Sequence, residues 1–155
     1  MEEDCLMNKA GTHFNRKIEY DGYRFDSQKE LNFYLTFVRE CPYRFDIQRS
    51  FTLQDNCAIG GLKLRRIDYI ADCVIYNEDN SIRHVIDIKN GYSTYAVDAK
   101  SRLKFKMFGA KTGIPIEVVV PRKHDFRLQV LGLTTKFEER VFNNFDYTVM
   151  DLIGG

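Results

Sequence analysis

Asp68-Tyr-Ile-Ala-Asp72-Cys-Val-Ile-Tyr76, a polar break over residues 77–81, then Ile82-Arg-His-Val-Ile-Asp87-Ile-Lys89: the fold turns on how this stretch is taken. Both halves have the β-branched and aromatic content of strands, yet each carries a carboxylate where a buried strand would hold another Val or Ile. Side chains alternate faces along a strand, so Asp87 and Lys89 project together while Ile88 points the other way. The break contains Glu78-Asp79-Asn80-Ser81, residues that favour tight turns. A two-residue loop at Asp79-Asn80 and a four-residue loop over 78–81 give the same register. In it Asp72 faces Asp87 across the hairpin, with β-carbons about 4.5–5.5 Å apart. Two facing carboxylates repel unless a cation lies between them or one is protonated. A slip of one residue would send them to opposite faces, so the reading depends on this register.

Two acids and an ammonium on one sheet face suit a divalent cation and a phosphodiester. The pattern Asp72, then Asp87-Ile88-Lys89, resembles the PD-(D/E)XK, or restriction-endonuclease-like, nuclease superfamily; Ala71 stands where the nominal proline would be. The resemblance implies a third carboxylate from the preceding helix, for which Glu30 is the match. More narrowly, Tyr20-Asp-Gly-Tyr-Arg-Phe-Asp-Ser27-Gln-Lys-Glu30 leading to Tyr69-Ile-Ala-Asp72 is similar to small nuclease-like proteins of bacteriophages and prophages. It covers about residues 17–120. It implies an α/β fold with an αβββαβ core, a mixed central sheet flanked by helices. The implied activity is Mg²⁺- or Mn²⁺-dependent hydrolysis of DNA, with a Holliday-junction-resolvase-like endonuclease as first expectation. The implied site is Asp72, Asp87, Lys89 and Glu30, the three acids holding the metal and Lys89 orienting water. Symmetrical cutting of a junction further implies a homodimer. The competing expectation is a nuclease fold that binds DNA or protein without cutting.

Several of these residues have a plainer reading. Ser27 and Glu30 form an S-x-x-E capping box, in which Glu30 would bind backbone amides at the start of a helix. Asp68 shares a strand face with Asp72 and is its rival as a ligand. Lys89 could be a charge at a strand end, paired with Asp87.

A chain of 155 residues with 44% apolar content has the material for one domain with a proper core. We expect residues 1–14 to be a flexible arm and 15–155 a single domain. No apolar run reaches roughly 18 residues and no basic-then-apolar leader opens the chain, so neither a membrane span nor a signal peptide is expected. Cys5, Cys41, Cys57 and Cys73 are widely spaced and the histidines number three, which speaks against a zinc site and for a reducing cytoplasm. Net charge is +1, but residues 100–127 alone carry +6 and the rest −5. Lys100, Arg102, Lys104, Lys106 and Lys111 from this basic stretch are the expected nucleic-acid contacts, the alternative being a solvated helix face.

Working outward, residues 17–25 read as a hairpin turning at Asp21-Gly22. A helix from Ser27 to about Glu40 follows, its apolar stripe Leu31, Tyr34, Leu35 and Val38, ended by Pro42. Residues 44–54 read as a strand and 55–61 as a loop. A second helix is expected over 97–111 with Ala99, Leu103, Met107 and Ala110 buried, then an apolar strand over 114–120. A helical segment is expected over 135–145.

Overall fold

The computed structural model describes residues 17–132 and 137–154; the expected arm over 1–14 lies outside them. A short hairpin comes first, β1 (Ile18–Tyr20) and β2 (Tyr23–Phe25), joined by Asp21-Gly22 with positive φ at both residues (55° and 84°). Such a turn needs the left-handed region twice, which Asp and Gly tolerate. Helix α1 (Gln28–Phe33) is capped by Ser27, whose hydroxyl accepts the Glu30 N–H at 3.1 Å. It runs on into a π-helical turn over Tyr34–Val38, closed by the Arg39 N–H on the Tyr34 carbonyl at 2.9 Å. The wider turn brings Phe33, Tyr34, Phe37 and Val38 all into the core, so the buried face is broader than the expected stripe and Leu35 lies at its margin.

A six-stranded sheet follows the order β10-β9-β8-β7-β6-β3. Its strands are β3 (Phe45–Gln54), β6 (Ile67–Tyr76), β7 (Ile82–Ile88), β8 (Glu117–Pro121), β9 (Phe126–Val130) and β10 (Arg140–Phe142). All neighbours are antiparallel except β7 and β8, which are parallel and joined through helix α2 (Ala99–Thr112). A parallel pair requires such a crossover. Asp98 caps α2 by accepting the Ser101 N–H at 2.8 Å, and Gly113, at φ 78°, ends it. The protein is therefore a mixed α/β fold with few helices.

The two faces of the sheet carry separate cores. Phe33, Phe37, Cys73, Ile86, Phe126 and Phe145 belong to the α1 side; Tyr69, Ala71, Val85, Phe105, Phe108 and Val118 belong to the α2 side. Alternation along β3 and β6 slips midway. Phe45 and Ile47 pack with the first core, whereas Phe51 and Leu53, of the same parity, pack with the second. In β6, Tyr69 and Ala71 join the α2 side while Cys73 and Ile75 join the α1 side. The slip falls at Gln48, whose φ of 61° reverses the chain's pleat in mid-strand. A short helix, α3 (Val149–Ile153), closes the described chain, and a buried polar lock holds the segment before it. His84 Nδ1 lies 2.7 Å from Glu117 Oε2, its Nε2 3.1 Å from the Phe145 carbonyl, and the Tyr147 hydroxyl donates to Glu117 Oε1 at 2.7 Å.

Three expectations are corrected. The buried face of α2 is Phe105 and Phe108, while Leu103 is 58% exposed and Ala99 and Ala110 lie outside the core. Two aromatic rings three residues apart bury more apolar area than a stripe of Ala, Leu and Met, and they set the helix's rotation. Within 55–61, Cys57–Ile59 is strand β4, paired with β5 (Leu62–Leu64) in a hairpin standing apart from the main sheet. Residues 133–136 lie outside the described chain, but the rest of the segment expected to be helical contains the edge strand β10, paired with β9. There Arg127, taken as part of a basic stretch, is tied to Glu139 at 3.2 Å.

Candidate active site

The site forms where the sheet divides. The β6–β7 ladder runs Ile75↔His84, Val74↔Val85, Cys73↔Ile86 and ends, after which β6 stays with β3 and β7 with β8 (Asp87↔Val118, Ile88↔Val119). Asp72 and Asp87 are the next residues in that register, on the two lips of the opening; it is the expected one, but a bulge between Ile75 and Tyr76 sets it, since beside the turn Tyr76 pairs with Ile82 and the Asn77 N–H bonds the Ser81 carbonyl. No ladder bond forms there. Instead Asp72 Oδ2 reaches across and accepts the Ile88 N–H at 2.7 Å.

Asp87 is buried. Its Oδ2 accepts the Tyr69 hydroxyl at 2.8 Å; its Oδ1 accepts no hydrogen bond, and Lys89 Nζ stands 3.2 Å away as its ion-pair partner. Lys89 also lies 3.4 Å from the Ser101 hydroxyl in the first turn of α2. Glu30 arrives from α1 on the opposite side. Its Oε1 accepts the Asp26 N–H at 3.1 Å and the Gln48 amide at 3.2 Å. Glu30 thus binds a backbone amide near the helix start, though Asp26's rather than that of Ser27, and its carboxylate also turns into the cleft.

Carboxylate oxygens of Asp26, Glu30 and Asp72 lie within 4.8 Å of one another. Asp26, missed in the sequence, follows β2 and is ion-paired with Lys17. Gln48 was missed as well: its amide lies 3.2–3.5 Å from all three acids. Nothing in the primary structure marks it, because only its position opposite Asp72 and its left-handed backbone aim it there. Asp68, the rival, lines the same cleft on the β6 side, its Oδ2 held by Arg66 at 3.0 Å and its Oδ1 buried without a hydrogen-bond partner.

Packing so many acids together has a clear electrostatic consequence. Burial raises the Asp72 carboxyl well above the usual range, and the charges of Asp87 and Glu30 add to it. Burial also raises Glu30, to about 7, with Asp26 and Asp87 contributing. Asp87 is raised by burial too, against the opposing pull of Lys89 and the Tyr69 hydrogen bond. Burial and mutual repulsion thus work against ionising these carboxyls together, a cost that a cation between them offsets. Converging oxygen donors of this kind fit a hard divalent cation such as Mg²⁺ or Mn²⁺.

Of the expected nucleic-acid contacts, Lys100 and Lys104 line the cleft. Arg102 sits partly buried beside them, Lys106 is turned toward the Gly113–Pro115 side of α2, and Lys111 Nζ donates to the Thr52 carbonyl at 2.9 Å, clamping β3. The basic set is therefore split by the helix's rotation rather than presented as one stripe. Among the described residues no helix is long and apolar enough to cross a membrane.

The chain belongs to the DUF1064 family of proteins of unknown function, whose profile matches residues 11–139. No curated protein and no solved structure matches it.

Proposed function

As a member of a family with no assigned activity, the chain has to be understood from its site, and we propose that it is a metal-dependent DNA endonuclease on a restriction-endonuclease-like core. The observation that carries this reading is the parting of β6 and β7, which places Asp72, Asp87 and Lys89 at one opening with Glu30 and Asp26 facing them. The order α1, β3, β6, β7, α2, β8 supports the αβββαβ core, with β4 and β5 as an insertion.

Asp72, Glu30 and Asp26 would hold a Mg²⁺ or Mn²⁺ ion, with Asp87, ion-paired to Lys89, on the same cleft. When bound, the ion polarises a phosphoryl oxygen and makes a coordinated water acidic. Tyr69 fixes the Asp87 carboxylate by its hydrogen bond. Lys89, at the end of β7 and 3.2 Å from Asp87, supplies a compact positive charge that orients water and offsets charge developing on phosphate. Lys100 and Lys104 attract the DNA backbone to the cleft mouth. Structure-selective cutting of branched DNA, by a homodimer when two strands are cut symmetrically, completes the proposal.

The test is incubation of the protein with Mg²⁺ or Mn²⁺ and labelled linear duplex, single strand, flap and four-way junction, with Asp87→Ala alongside. Metal-dependent cutting lost in the variant supports the reading, and cutting strongest on the junction by a species of dimer mass supports its finer form. Binding of DNA with no cutting of any substrate would replace the nuclease with an accessory binding protein.

A further inference from the structure

The β4–β5 hairpin is a two-stranded sheet of its own beside the main sheet, and it ends in two large aliphatic residues. Ile59 and Leu62 are 67% and 62% exposed and stand directly opposite each other at the tip, across Gly60-Gly61. Residues paired this way in an antiparallel ladder share a face, so they form one apolar point. An isolated two-stranded hairpin with an apolar tip is marginal in water, and retaining one exposed calls for a partner. The stem indicates which. Lys63, Arg65 and Arg66 follow the tip and line a groove with Asn56, Cys57 and Asp68, and the only acid on the hairpin side of the segment 55–66 is Asp55. Asp68 also lines the carboxylate cleft, so the basic groove and the candidate active site are neighbours that share this residue.

Resting on the nuclease reading, we propose that this hairpin is a DNA arm: Lys63 and Arg65 seat on backbone phosphates while Ile59 and Leu62 wedge against a base step from the minor-groove side. Apolar side chains inserted at a step unstack it, at a free-energy cost that is smallest where the DNA is already unstacked or flexible. The arm thus gives the neighbouring cleft its preference for branched or bulged DNA over regular duplex. Arg66 has a different task, since its guanidinium holds Asp68 at 3.0 Å.

The experiment uses the full chain in EDTA, so that cutting plays no part, with a duplex carrying 2-aminopurine and the same duplex with an unpaired bulge. Anisotropy gives Kd across a salt series, and 2-aminopurine fluorescence reports unstacking. Wild type should favour the bulged DNA about tenfold and raise the fluorescence on binding, as an inserted wedge does. Ile59→Ser/Leu62→Ser should abolish both effects with the salt slope unchanged. Lys63→Ala/Arg65→Ala should weaken binding to both DNAs alike and reduce the slope by about 2, roughly 0.9 per phosphate contact. Wild-type behaviour from both double variants would overturn the arm. So would loss of a concentration-dependent dimer in the serine variant with DNA binding intact, which would make the tip a contact between copies. Metal-dependent cutting with no arm effect sinks the arm alone; an arm effect with no cutting sinks the nuclease alone.

Discussion

Gln48 lies across the β3–β6 ladder from Asp72, between the pairs Ile47↔Cys73 and Arg49↔Ala71, with its amide nitrogen 3.4 Å from Asp72 Oδ1. Its φ of 61° is left-handed, a conformation that costs a non-glycine residue about 1–2 kcal/mol. The strain falls where both strands exchange the faces of their side chains, and it turns an amide into a cluster of acids from three segments of the chain. Strain of this sort persists only where the surroundings hold it.

Replacing Gln48 separates these effects. Gln48→Gly should relieve the backbone and Gln48→Ala should not, so the alanine variant should be the less stable by about 1 kcal/mol in urea melts. Both should cut DNA about 10–100-fold more slowly, the range seen when a group supporting metal ligands is removed. Equal stabilities would contradict the strain, and wild-type cutting would remove Gln48 from the site.

Ser27 and Glu30 should part company. Ser27→Ala removes the helix cap and should cost about 1 kcal/mol of stability while leaving cutting measurable. Glu30→Gln should keep the fold and lose cutting with Mg²⁺. If the glutamine variant cut like wild type, Glu30 would be a structural residue only.

The metal-free protein should become more stable as pH falls. Glu30 binds its proton more tightly when folded (about 7) than its ordinary value of 4.5, so its contribution is full below 4.5 and is lost as pH rises through 7. Asp72, also raised, acts in the same direction. The melting temperature in EDTA should rise by a few degrees between about pH 8 and about pH 5.5, and less in Glu30→Gln. A melting temperature that climbs with pH over this window would count against the buried acid cluster.

His84→Phe should be severe although it lies away from the cleft. Both ring nitrogens face acceptors, Glu117 Oε2 and the Phe145 carbonyl, in a fully buried setting. Removing the imidazole strands the Glu117 carboxyl and should cost about 3–5 kcal/mol. A loss under about 1 kcal/mol, read from urea unfolding, would show that Glu117 is accommodated without it.

The acids and lysine of the hairpin and the Asp21-Gly22 turn were legible in the sequence, because these depend on strand period and turn chemistry within one stretch of chain. The register at Asp72 came out as expected only because a bulge at Ile75 and Tyr76 offsets a turn one residue different from the expected one. The second helix, expected over 97–111, was placed to within two residues at each end. Its rotation was not, since that depends on which side chains find volume beneath it, and Phe105 and Phe108 prevailed over the small-residue stripe. The tail was misread because a strand added at a sheet edge is defined by its neighbour, β9, rather than by its own periodicity. Asp26 and Gln48 entered the site through tertiary structure alone: one follows a distant hairpin, and the other is aimed by a backbone torsion. Strand alternation by itself put Asp87 and Lys89 together at the end of β7. Only the folded sheet, by parting β6 from β7, decided which further groups they meet.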